Sequence, residues 1–380
     1  MIRPLFAACA ATIVMAATAS AAPFSLTTLY AFNGRDGGGS INDDEVPVGK
    51  YLYGTTNGGG IGGNGTIYRL NTETGVEKPL YKFTGGADGC LPSGMTLVDK
   101  VLYGTAVSCG AQAYGVVFSI DLATLTERTL YSFQNGADGS YPQGKLLSFG
   151  GYLWGTADYG GANGAGTIFK FDPVAASVTP VYSFGAGSDA AYPPNDLIAE
   201  GGVLYGVTQY GGTNNTGTLY AYDTAKGTEA VLYSFGPFGG TDGYRPASQL
   251  FYRAGYVYGT AQAGGANNLG IIYRVNVKTG REDVLHNFSG KKDGASPYTG
   301  LTAGAAGLVY GETAGGGQRD RGTIFSFNLA TNTLKNLYSF GGGGDGALPY
   351  AQLSTAKGIF YGNTATGGDH RKGTVFSFKP

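Results

Sequence analysis

One stretch, written seven times at a fixed interval, constrains this chain more than any other property. Its cleanest copy is Leu153-Trp154-Gly155-Thr156-Ala157-Asp158-Tyr159-Gly160-Gly161, followed by Ala162-Asn163-Gly164-Ala165-Gly166-Thr167-Ile168-Phe169-Lys170-Phe171. The aromatic-Gly marker recurs at Tyr53, Tyr103, Trp154, Tyr205, Tyr258, Tyr310 and Tyr361, at spacings of 50, 51, 51, 53, 52 and 51 residues. A length of 380 residues alone would suggest two or three domains, but a fixed internal period points to one array.

Two further markers divide the unit. Leu-Tyr-Ser-Phe, or a close variant, starts at Leu29, Leu80, Leu130, Val181, Leu232, Leu285 and Leu337, and Asp-Gly with Pro four residues after the Asp recurs at Asp88, Asp138, Asp242, Asp293 and Asp345. Between them lie four short apolar runs separated by glycine-rich turns, which is a strand pattern. In the fifth unit the strands fall at about 249–253, 256–260, 270–276 and 283–288. Four strands per period of about 50 residues match a β-propeller blade. The expected fold is therefore all-β, a seven-bladed β-propeller of four-stranded blades.

The chain ends argue for a closed ring. The first run, at Leu29-Tyr30-Ala31-Phe32, is a fourth strand, and the last, Gly373-Thr374-Val375-Phe376-Ser377-Phe378, is a third. Joining them completes the last blade with an N-terminal strand and removes two exposed sheet edges. The blades are placed at about 37–83, 88–133, 138–184, 189–235, 242–288, 293–340, and 345–380 with 25–32, in one domain over 22–380, expected to be monomeric. Of 48 Tyr and Phe, 30 sit at marker positions; these are core, and Trp154 shares that role.

Residues 1–21, with Arg3, an apolar run from Leu5 to Ala17 and Ala19-Ser20-Ala21, have the parts of a secretory signal. The run is shorter than the ~20 residues that span a bilayer, so no membrane span is expected and the localisation expected is periplasmic or extracellular. Cys90 and Cys109 then remain in an oxidising compartment. In a hairpin turning at Asp99-Lys100, pairing of Val98 with Val101 puts Cys90 opposite Cys109, so a disulfide is expected.

Charge excludes one class of partner. With 25 Lys and Arg against 26 Asp and Glu, no global positive field exists to hold nucleic acid. Two histidines, His286 in a core marker and His370 in a charged loop, are too few for His-based metal ligation or a triad. A glycosidase needs only two carboxyls, and that possibility stays open.

The loops after the second and fourth strands of each blade are expected on one face. There the aspartates of the Asp-Gly marker, from Asp36 to Asp345, form a ring that is open to two readings: calcium ligands, or the turn chemistry for which Asp-Gly suits. Blade one breaks the pattern, with Ser40 for Pro and Asn42-Asp43-Asp44-Glu45 where the others place their inner-strand leucine. Asp43, Asp44 and Glu45 are a candidate cation site or an irregular solvated strand. Lys291, Lys292, Arg319, Arg321, His370, Arg371 and Lys372 form a basic sector open to two readings: a site for carboxylated or sulfated glycan or a phosphorylated surface polymer, or ordinary solvated loop charges. Loop tyrosines, including Tyr159 and Tyr210, could stack on sugar rings or on one another.

These words, in this order, resemble the Gloeo/Verruco tandem repeat, the choice-of-anchor repeat of exported bacterial proteins, over residues 25–380. The resemblance implies an exported bacterial protein of poorly defined role and carries no catalytic residues. Some members bear a C-terminal sorting anchor; the close of this chain at Pro380 leads to the expectation of a free protein. The functional expectation is a non-enzymatic binding or scaffold module for an acidic polysaccharide, with a carbohydrate-active enzyme or a platform for a surface protein as alternatives.

Overall fold

The computed structural model describes residues 24–39, 44–185, 188–193, 196–247 and 249–380. It is a seven-bladed β-propeller. Blade three shows the unit in full, with antiparallel strands Ser140–Phe149, Tyr152–Tyr159, Thr167–Asp172 and Ser177–Ser183 running in order from the channel outward. In blade five the inner strand is broken into Gly243–Pro246 and Phe251–Arg253, both paired with Tyr256–Gly264.

The repeated words have local causes. Gly155 pairs across the ladder with Phe169, and a Cβ on Gly155 would lie 2.7 Å from that ring; Gly104 stands 2.6 Å from Phe118 in the same way. The glycine exists so that the third-strand aromatic can lie over the second strand. That aromatic then receives the Phe of the preceding blade's outer strand. Phe83–Phe118, Phe133–Phe169, Phe184–Tyr220, Phe235–Tyr273, Phe288–Phe325 and Phe340–Phe376 meet at centroid distances of 5.0–5.5 Å. Such pairs add about 0.5–1.5 kcal/mol each beyond the area they bury.

Phe32 and Tyr68 make the seventh contact at 5.2 Å. This one closes the ring. Leu26–Ala31 pairs with Thr374–Phe378 as the fourth strand of the last blade, and Phe32 carries the aromatic ladder on into blade one. The closure read from the complementary chain ends is the closure observed.

The disulfide is present, with Cys90 and Cys109 Cα atoms 5.3 Å apart. The hairpin pairs Val98 with Val101 as expected, but a bulge between Pro92 and Met95 shifts the register, so Cys90 lies opposite Ser108. One residue of slip still leaves the sulfurs within bonding reach.

The aspartate ring is a set of turn anchors. Asp138 accepts from the Tyr131 hydroxyl at 3.1 Å and from the amides of Gln134 and Gly136 at 2.9 and 3.0 Å. Tyr81 with Asp88, Tyr182 with Asp189, Tyr233 with Asp242 and Tyr338 with Asp345 repeat the device, as do Tyr30 and Asp36. His286 takes the tyrosine's part opposite Asp293 at 2.8 Å. Each aspartate ties the preceding blade's outer strand to the loop that returns to the channel.

Candidate ligand-binding face and central channel

The two families of loops do share one face. Backbone bonds join them, Gly110 N to Gly86 O and Gly161 N to Gly136 O, each at 2.9 Å. At the inner edge, the residue before each proline donates its N–H to the previous blade: Leu91 to Asn64, Tyr141 to Tyr114, Tyr192 to Ala165, Arg245 to Thr216, Ser296 to Leu269 and Leu348 to Arg321, at 2.8–3.0 Å. All six donors have φ between 52 and 57°, a left-handed conformation that costs a residue with a side chain. The inter-blade bond compels it. Blade one uses Gly39 there, donating to Lys372 at 3.1 Å.

Inside this ring of bonds, two sectors of the mouth differ in chemistry. On blades two to four, Tyr114, Tyr141, Tyr159, Tyr192 and Tyr210 form one run, edge to face except for the tilted Tyr159–Tyr192 pair, with successive centroids 6.1, 5.8, 5.2 and 5.9 Å apart. The rings pack on one another and still present surface: Tyr159 is 49% and Tyr210 39% exposed. The packing reading of the loop tyrosines is thus observed, and the exposed ring surface is what a ligand would meet.

On blades six and seven, Lys291, Lys292, Arg319, Arg321, His370, Arg371 and Lys372 are all exposed. Among the described residues none of them makes a salt bridge. Lys372 lies along Gly34 and Gly38, and with Arg371 it borders a cavity of about 280 Å³ whose remaining wall is Ala365 and glycine backbone at Gly34, Gly38, Gly39, Gly58 and Gly59.

The acidic run of blade one goes elsewhere. Asp43, like Ser40 and Asn42, lies outside the described residues. Asp44 and Glu45 are buried, which overturns the solvated-strand reading for these two, and they point to different partners. The Asp44 Oδ2 accepts from Lys145 Nζ at 2.9 Å. Glu45 Oε1 accepts from Asn363 Nδ2 at 3.0 Å and from the Tyr68 hydroxyl at 3.2 Å. Burial pushes the Glu45 carboxyl up to about 7. Among the described residues no three His, Cys, Asp or Glu side chains gather as a metal-holding group.

Sequence reasoning missed the channel lining. Aligning the blades on their inner-strand leucine shows it: the residue one place before reads Asp44, Gly94, Lys145, Asp196, Gln249, Gly300 and Gln352. Asp44, Lys145, Asp196, Gln249 and Gln352 border one cavity of about 220 Å³. The Lys145 amide bonds Asp196, whose carboxyl burial raises to about 6. The second-strand Thr of Tyr-Gly-Thr also varies: Glu312 replaces it in blade six and Asn363 in blade seven. Glu312 is wholly buried, and burial holds its carboxyl well above the usual range.

The Gloeobacter/Verrucomicrobia repeat matches residues 12–134, 93–268 and 237–380. The chain belongs to that family. No curated protein matches the sequence. Among solved structures, this Gloeobacter/Verrucomicrobia repeat protein is similar to an oligogalacturonate lyase in complex with manganese, at 12% identity and TM-score 0.58, covering 94% of this chain and 96% of that one. It is also similar to the oligogalacturonate lyase of Vibrio parahaemolyticus, at 11% identity and TM-score 0.56, covering 94% and 97%. The extracellular domain of a one-component system from B. thetaiotaomicron gives 8% identity and TM-score 0.61 over 93% of this chain and 40% of that one. At these identities the likeness is one of fold.

Proposed function

We propose that this repeat protein is an exported binding module whose loop face recognises an acidic polysaccharide. One observation carries the reading: a contiguous tyrosine arc shares its mouth with six exposed Lys and Arg side chains that have no ion-pair partner among the described residues. Tyrosine faces suit the C–H faces of sugar rings, and guanidinium and ammonium groups suit carboxylate or sulfate through charge-assisted hydrogen bonds. The glycine-walled cavity beside Arg371 and Lys372 offers a place where an anionic group meets both backbone and charge. Two solved structures of this fold are oligogalacturonate lyases, enzymes named for an oligomeric acidic sugar.

The test is binding to polygalacturonate and alginate, with dextran as the neutral control, at low and high salt. Binding to the anionic chains that weakens with salt, and that falls at least tenfold when Arg319, Arg321, Arg371 and Lys372 are all changed to alanine, is the expected result. Unchanged binding in that variant refutes the role of the basic sector. Release of shorter chains in the same incubation would turn the reading to an enzyme, and binding to no polymer would leave a platform for a surface protein.

A further inference from the structure

The inter-blade donors at the mouth keep one backbone geometry and change their side chain from blade to blade. Leu91, Tyr141, Tyr192, Arg245, Ser296 and Leu348 share a φ of 52–57° and the same N–H bond to the preceding blade. Equal backbone conformation gives equal Cα–Cβ directions, so the contacts of one member show where the next one points. Tyr192 meets Tyr159, five places after the Trp154 marker of blade three, and Tyr210, five places after the Tyr205 marker of blade four, at 5.2 and 5.9 Å. Tyr141 meets Tyr159 of its own blade at 5.8 Å. In the next blade the member is Arg245, and the same register sets it between Tyr210 and Ala263, five places after Tyr258. The tyrosine arc therefore ends on a guanidinium. Arg245 is exposed and makes no salt bridge among the described residues, and it lies outside the basic sector of blades six and seven.

The loop that leads to Arg245 is longer than its counterparts. From the outer-strand Phe to the aspartate anchor the chain takes five steps at Phe83 to Asp88, Phe133 to Asp138 and Phe288 to Asp293, but seven at Phe235 to Asp242. The added length carries Phe238, which is 60% exposed and stands edge to face on Tyr244 with centroids 4.9 Å apart. Tyr244 is itself fixed: its hydroxyl donates to Asn268 Oδ1 at 2.8 Å, and that oxygen also accepts from the Gly264 amide at 3.1 Å. A phenylalanine held in solvent on an anchored ring adds little to the core. It does present a flat apolar face on the blade that supplies Arg245.

We propose, resting on the acidic-polysaccharide reading, that Arg245 is the carboxylate anchor of a uronate subsite at the end of the tyrosine arc. A uronate ring lies on Tyr210 and gives its carboxylate to the Arg245 fork, and the next ring of the chain lies on Phe238. The planar guanidinium matches a carboxylate with two parallel N–H···O bonds, which a compact ammonium cannot do. Phe238 has no polar handle and takes the C–H face of a sugar whatever its charge. Charge selectivity at this subsite therefore rests on Arg245, and general chain affinity on the aromatic rings.

Calorimetric titration of the intact protein with polygalacturonate and with its fully methyl-esterified form tests this. Arg245→Leu installs the residue already present at the equivalent Leu91 and Leu348, so the backbone is kept. It should weaken polygalacturonate binding at least tenfold and leave unchanged the binding of the methyl ester, itself at least tenfold weaker in the parent protein. Phe238→Ser should weaken both at least threefold. Full polygalacturonate affinity in Arg245→Leu or Phe238→Ser, while the variant lacking Arg319, Arg321, Arg371 and Lys372 is weakened, would overturn this subsite and leave the basic sector standing. Weakening in Arg245→Leu with that fourfold variant unchanged would keep the subsite and remove the basic sector. Equal parent affinity for the acid and the ester would overturn the carboxylate assignment, and binding of neither would overturn both proposals.

Discussion

Replacing Glu45 by leucine, the residue most blades place there, should make the protein more stable, by an amount that depends on pH. The Glu45 carboxyl has an ordinary value of 4.5 and is raised to about 7 in the fold, first by loss of solvation. For an acid raised in this direction the stabilising difference is fully present below pH 4.5, where both states are protonated. It is lost as pH rises through 7, because the unfolded chain releases the proton first. The span corresponds to about 3 kcal/mol at ~1.36 kcal/mol per pKa unit. Leucine removes that loss and adds apolar burial of about 1.5–3 kcal/mol, offset by two hydrogen bonds, from Asn363 and Tyr68, of about 1 kcal/mol each. Urea unfolding of both proteins from pH 4.5 to 8.5 is the assay. Burial also raises Glu77, Glu229, Glu282 and Asp158 to about 8, but they titrate in both proteins and cancel in the comparison. The Glu45→Leu advantage should grow by about 3 kcal/mol across this range. Parallel stability curves would refute the argument.

Three other outcomes follow from the fold. Removing residues 24–34 strips the fourth strand from the last blade and Phe32 from the aromatic ladder, so heat unfolding should broaden and shift down; a circular permutant carrying 24–39 after Pro380 should restore one sharp transition in calorimetry. Changing Cys90 and Cys109 together to serine opens a loop of sequence separation 19, worth about 3 kcal/mol by chain entropy, with the urea midpoint lowered; an unchanged midpoint would show that the strand pairing alone restricts the unfolded hairpin. Asp138→Ala should cost about 1–3 kcal/mol by freeing Tyr131 and two loop amides, and it should leave binding to acidic polymers intact, since the anchor lies beneath the mouth.

The sequence by itself determined the architecture because each blade solves the same local problem with the same residues. Tyr-Gly-Thr, Leu-Tyr-Ser-Phe and Asp-Gly are readable since glycine beneath Phe169, Phe133 upon Phe169, and Asp138 on the Tyr131 hydroxyl are contacts within a blade or to the next one. Ring closure was legible for the same reason: a missing fourth strand at one end matches a spare one at the other. The basic sector and the tyrosine loops were legible as residues, whereas the order of the rings around the mouth needed the structure. The channel was decided by tertiary structure alone. Asp44 meets Lys145 across 101 positions and Glu45 meets Asn363 across 318, distances over which no local period speaks. Each blade contributes one residue to that ring, and a position that must differ from blade to blade to build a site looks, in a repeat, like noise. Only closing the seven inner strands on a common axis turns Asp44, Lys145, Asp196, Gln249 and Gln352 into neighbours around one cavity.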